Sequence, residues 1–192
     1  MARTALDHSS PWQMLVATVL SAQCTDQRVN QVVPELWARW PGPAELAEAR
    51  VAEIEEVIRS IGLYRSKAKN LRATARVVCA EHGGRVPQSL EELVALPGVG
   101  RKTAKVVLGA AFGIAAGVAV DTHVRRLSRR LGLSGADDPE RIAADLEAML
   151  PRSEWIAISL RLILHGRRVC TARAPRCPDC QLLDICPRVG VG

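Results

Sequence analysis

The stretch that most limits what this chain can become is LPGVGRKTAKVVL, from Leu96 to Leu108. Pro97, Gly98 and Gly100 end one helix and open another within four residues. Proline lacks the amide hydrogen that a helix interior uses, and glycine admits turn conformations that other residues resist. Ahead of the turn, Ser89 with Glu92 reads as a capping box, and Leu90, Leu93 and Val94 follow at helical spacing. Beyond it, Ala104, Val107, Leu108 and Ala111 form an apolar stripe, so the region 90–110 reads as a helix-hairpin-helix. Backbone N–H groups around Gly98, Val99, Gly100 and Arg101 then point outward beside a helix N-terminus, an arrangement that suits a backbone phosphate. Lys102 projects from the first turn of the second helix.

The rest of the chain reads as all-α, with nine or ten helices and no alternating pattern long enough for a strand. Ser10 and Pro11 open WQMLVATVLSAQ, which Gln23 ends, and Thr25 with Asp26 caps the next helix. Pro34, Pro41 and Pro43 divide the following stretch into short helices, with Trp37 and Trp40 as packing aromatics. Ile54, Val57, Ile58 and Ile61 predict a helix from Val51 to Ile61 that stops at Gly62. Leu63 and Tyr64 form a tight link, and Ser66 caps the basic helix that follows. After Gly113 and Gly117, Asp121 stands as the N-cap of a helix carrying four arginines at 125, 126, 129 and 130. Asp138 and Pro139 open another helix, and Ser153 opens a last one that ends at Gly166.

A chain of 192 residues with 26 Lys and Arg against 20 Asp and Glu carries a formal charge of +6, which favours a polyanionic partner. No stretch reaches the roughly 18 apolar residues of a membrane span, and no apolar N-terminal run follows a basic segment. A cytosolic location is expected, where cysteines serve as thiols or metal ligands rather than disulfides. Cys24 and Cys79 stand apart, whereas Cys170, Cys177, Cys180 and Cys186 form C-x6-C-x2-C-x5-C among three prolines, a loop held by its ligands. Zinc sites usually draw on two close cysteine pairs, and only Cys177 and Cys180 make one. Common iron-sulfur spacings do not include this one either, so spacing leaves both metals open. Arg173 and Arg176, between the first two cysteines, are candidate phosphate contacts.

A lysine-bearing helix-hairpin-helix followed by VDTH and this cysteine tail strongly resembles the endonuclease III family of DNA glycosylases. LSAQCTD at 20–26, IGLYRSKAKN at 61–70 and LILHGRRVC at 162–170 extend the likeness over nearly the whole chain, in the family's order.

The resemblance implies two helical lobes with DNA between them. A six-helix barrel would span 10–113, and a cluster lobe would join 1–9 to 114–192, with cysteine loop 170–186 holding a [4Fe-4S] cluster. It implies a monomer that excises oxidised pyrimidines from double-stranded DNA and cuts the strand at the resulting abasic site by β-elimination. Gln23 would fill the space left by the flipped base, and Leu63 would wedge beside the orphaned partner. Lys102 would attack the sugar as an amine. A lysine nucleophile must lose its proton first, and a helix N-terminus contributes only about 0.3 to 1 kcal/mol toward that. Asp121 is by likeness the group that takes the proton and stabilises the cationic sugar. The sibling mismatch adenine glycosylase lacks a lysine at this position and has an additional C-terminal domain. A DNA-binding module without catalysis is the reading from another class, and the Lys102 and Asp121 pair counts against it. The family also has about one more helix ahead of this start, and the segment between Lys102 and Asp121 reads one residue longer, near Gly117.

Overall fold

A computed structural model of the protein describes residues 4–191, and these contain ten α-helices, one short 3-10 helix and no strand. They fall into two compact units, Thr4–Ile114 and a second that begins at Ala115. Residues 1–3 and 192, included in the sequence-based division, lie outside the described residues.

The first unit holds α1 (Pro11–Ser21), α2 (Asp26–Arg39), α3 (Pro43–Glu48), α4 (Val51–Val57), α5 (Tyr64–His82), α6 (Leu90–Ala95) and α7 (Arg101–Phe112). α1 is its centre: Met14, Leu15, Val16, Ala17 and Leu20 are wholly buried, more than one face of a helix supplies. It packs on α2, α5 and α7, while α3 and α4 cover α5, and α6 lies on α7. The caps follow the sequence, since Ser10 accepts the N–H of Gln13 and Thr25 that of Arg28, each at 3.2 Å. Residues 4–9 attach to this unit through Asn30, whose Oδ1 accepts the Asp7 N–H at 3.0 Å and whose Nδ2 donates to the Ala5 carbonyl at 2.8 Å.

Three local expectations fail here for physical reasons. Pro34 does not break a helix but sits inside α2 on its exposed side, where water can serve the carbonyl a proline leaves unpaired. Val29, Val32, Val33 and Leu36 bury the opposite face and keep the helix continuous. α4 stops at Val57 rather than at Gly62, although Ile58 and Ile61 stay buried through the turn that follows. α5 starts at Tyr64, ahead of Ser66, because a left-handed Leu63 already ends the turn and its carbonyl accepts the Lys67 N–H at 3.0 Å.

The second unit holds α8 (Thr122–Arg130), α9 (Pro139–Met149), the 3-10 turn Arg152–Glu154 and α10 (Trp155–Arg168). Its core joins Val118, Val120, Val124, Leu127, Ile142, Ala143, Leu146 and Leu162. Gly166 does not end α10. A Cβ there would lie 2.9 Å from Arg126 Nη2 and 3.1 Å from both His123 Nδ1 and Leu127 Cδ1, so this glycine lets α10 approach α8. After α10 the chain runs in turns to residue 191. No helix among the described residues is long and apolar enough to cross a membrane.

Candidate active site and cysteine centre

Ser89 caps α6, accepting the Glu92 N–H at 3.2 Å and donating to the Glu92 carboxylate at 2.7 Å. The turn after α6 is fastened to α5. Thr74 Oγ1 donates to the Pro97 carbonyl at 2.8 Å, and Gly98, at φ 76°, lies against Asn70, whose Nδ2 is 2.6 Å from where a Cβ would stand. Val99 is buried, only 5% exposed, and its N–H is spent inside the turn on the Leu96 carbonyl at 3.1 Å. Gly100 is the N-cap of α7, with an ordinary φ of −87° and no side-chain cap. A Cβ there would meet nothing within 4 Å, which leaves open space in front of the helix. The first N–H groups of a helix have no acceptor within it. Five helices among the described residues are capped by side-chain oxygens, at Ser10, Thr25, Ser89, Asp121 and Asp138. α7 instead presents a bare positive end, with exposed Arg101 and Lys102 on its first turn.

In the second unit, Asp121 is the N-cap of α8, and its Oδ1 accepts the N–H groups of His123 and Val124, both at 2.8 Å. The strap before it is pinned, because the Val118 N–H donates to Glu147 at 2.7 Å and the Ala119 N–H to Ser159 Oγ at 3.1 Å. The carboxylate is half-buried and fixed in direction. Burial lowers the pKa of neighbouring His123, with Asp121 opposing that shift.

Gln23 and Leu63 are both exposed and both left-handed, at φ 56° and 59°, which is rare for residues with a Cβ. Leu63 is 60% exposed, a large apolar side chain offered to solvent.

The four clustered cysteines are half-buried thiols without disulfides and line one cavity with Leu127, Leu131, His165 and Leu183. Among the described residues, no three His, Cys, Asp or Glu side chains converge closely enough to hold a metal ion. Arg130 Nη1 lies 3.3 Å from Cys170 Sγ, His165 Nε2 lies 3.5 Å from Cys180 Sγ, and the Leu182 N–H points at Cys180 Sγ from 3.4 Å. Arg126 spans from α8 to the Gly166 and Cys170 carbonyls, at 3.0 and 2.9 Å. In the sequence these arginines are simply a basic run, since their partners lie some forty residues away. Arg173 is exposed, whereas the Arg176 guanidinium donates to the Arg168 carbonyl at the end of α10.

Residues 16–152 match the family model for HhH-GPD superfamily base excision DNA repair proteins. An endonuclease III of Synechocystis is 55% identical over 97% of this chain and 85% of its own length, and one of Bacillus subtilis is 44% identical over 96% and 84%. A solved endonuclease III trapped as a covalent intermediate with DNA superposes with a TM-score of 0.92 at 43% identity, covering 97% of this chain and 88% of that one.

Proposed function

Because the chain belongs to the endonuclease III family, and is thus a DNA glycosylase and abasic-site lyase of base excision repair, we propose that Lys102 is its nucleophile and Asp121 its proton acceptor, acting on oxidised pyrimidines in double-stranded DNA. The observation that carries this reading is the exposed Lys102 on the first turn of α7, beside a helix end without a side-chain cap and a glycine turn fixed to α5.

Extruding a base costs a few kcal/mol, least for a damaged one. Gln23 and Leu63 occupy the vacated space, and the backbone of the Gly98 to Arg101 turn, the Val99 N–H excepted because it donates to Leu96, receives a phosphate at the N-terminus of α7. Asp121 takes a proton from the Lys102 ammonium, and the free amine attacks the sugar C1′. The C1′–N bond to the base breaks, the base leaves with the electron pair and takes up the proton that Asp121 had accepted, and the carboxylate so restored balances the cationic sugar. Opening of the sugar ring gives a Schiff base between Lys102 and C1′. Loss of a 2′ proton then expels the 3′ phosphate and cuts the strand. A cytosolic location follows from the need to reach chromosomal DNA.

Cys170, Cys177, Cys180 and Cys186 would hold a [4Fe-4S] cluster, which supplies a rigid cross-link for the loop and a one-electron redox couple. The residues fit such a group. Four thiols without disulfides line one cavity together with Leu127, Leu131 and Leu183, the all-cysteine donor set in apolar surroundings that such a cluster takes.

Duplexes carrying thymine glycol, an abasic site or no damage test the substrate. Strand cutting at the first two alone is expected, and cutting at the abasic site alone would overturn the base preference.

A further inference from the structure

Lys67 is buried, 5% exposed, yet no carboxylate among the residues bonded to its ammonium neutralises it. Its Nζ donates to the carbonyl of Leu20 at 2.9 Å and to that of Ala22 at 2.6 Å. These are carbonyls at the C-terminal end of α1, where the helix dipole favours a cation, and Ala22 immediately precedes Gln23. Its backbone N–H donates to the carbonyl of Leu63 at 3.0 Å. The two segments also touch, since a Cβ on Gly62 would lie 3.4 Å from the Gln23 carbonyl oxygen. Among the described residues only three without glycine's freedom have a positive φ, and two of them flank the bonds of Lys67: Leu63 accepts its backbone N–H, and Gln23 follows Ala22, which accepts its ammonium. Left-handed residues of this kind persist where their surroundings over-determine them.

Burial lowers the pKa of Lys67, with Cys24 opposing that shift, which is the mark of a charge held at a cost. A methionine of similar length would fill the same space without desolvating a charge. What methionine lacks is donors for the two carbonyls.

We propose that Lys67 is a positioning residue that holds Gln23 and Leu63 together in the shape that fills the gap left by an extruded base. The inference rests on the gap-filling reading of those two residues given above.

The test compares two substrates of the full-length, cluster-loaded protein. A thymine glycol duplex requires extrusion, and a single-stranded oligonucleotide with a preformed abasic site requires none. Lys67→Met should slow base release from the duplex about 10- to 100-fold, the scale of a small misplacement, while cutting of the single strand changes by less than about twofold. Lys67→Gln, which keeps N–H donors on a shorter side chain, should recover part of the loss. Equal losses on both substrates, or no loss on either, would overturn the proposal. Gln23→Ala and Leu63→Ala are measured alongside. If they lose duplex activity and Lys67→Met keeps it, the role of Lys67 fails by itself; if they keep full duplex activity, the gap-filling reading fails and this inference with it.

Discussion

Arg130 joins both ends of the cysteine segment to α8. Its guanidinium lies 3.3 Å from Cys170 Sγ and donates to the carbonyls of Thr171 and Ala172 at 2.7 and 2.9 Å. Its own carbonyl accepts the Val189 N–H at 3.2 Å and lies 3.6 Å from Cys186 Sγ. Arg130→Met removes the side-chain half of this tie and leaves loop carbonyls unpaired. We expect a loss of roughly 1 to 3 kcal/mol, read as a lower unfolding midpoint, together with faster bleaching of the proposed cluster by an iron chelator. Unchanged unfolding and bleaching would show that the loop holds itself.

The hairpin turn admits little else at position 98. At φ 76°, a residue with a Cβ costs about 1 to 2 kcal/mol from backbone sterics alone, and Asn70 already occupies the space. Gly98→Ala should therefore destabilise the first unit by at least about 2 kcal/mol in urea unfolding and weaken DNA binding. Adding Asn70→Ala should return only the part due to the clash. Full recovery in the double variant would mean that the backbone conformation costs nothing.

Acid should weaken the second unit through His123. Burial lowers its pKa, Asp121 opposes, and Arg126 and Arg167 act in the same direction as burial. The folded state then binds fewer protons than the unfolded one below about pH 6.5, so stability rises with pH in that range. The contribution is complete above about pH 6.5 and is lost as the pH falls through the depressed folded value. Unfolding midpoints of wild type and His123→Asn, measured from about pH 7.5 down to pH 5, should show the steeper decline in wild type. Parallel curves would contradict the assignment.

What the sequence disclosed was whatever is local. Ser89 with Glu92, Asp121 and Asp138 act as caps within three residues of their partners, and their helices begin where the spacing predicts. Gly98 was readable as a turn glycine for the same reason, although Asn70, the neighbour that excludes a Cβ, was not. Lys67 read as one of several lysines and arginines on a basic helix, because its acceptors lie 45 and 47 residues earlier. Arg126 and Arg130 likewise spend their guanidinium groups on carbonyls some forty residues ahead. Gly166 read as a helix stop because glycine often is one, and only the packing of α10 on α8 shows its use. The motifs of the candidate site were legible, and the side chains that hold them in place were not.

The covalent chemistry assigned to Lys102 is tested most directly by borohydride trapping. Purified protein and Lys102→Ala are incubated with duplexes carrying thymine glycol or an abasic site, with reductant present. Lys102 is exposed, so the substitution should change stability by no more than about 0.5 kcal/mol and leave DNA binding intact. Wild type should form a protein–DNA adduct on both substrates and the variant on neither. An adduct formed by the variant at the wild-type rate, or none formed by wild type despite tight binding, would contradict the account.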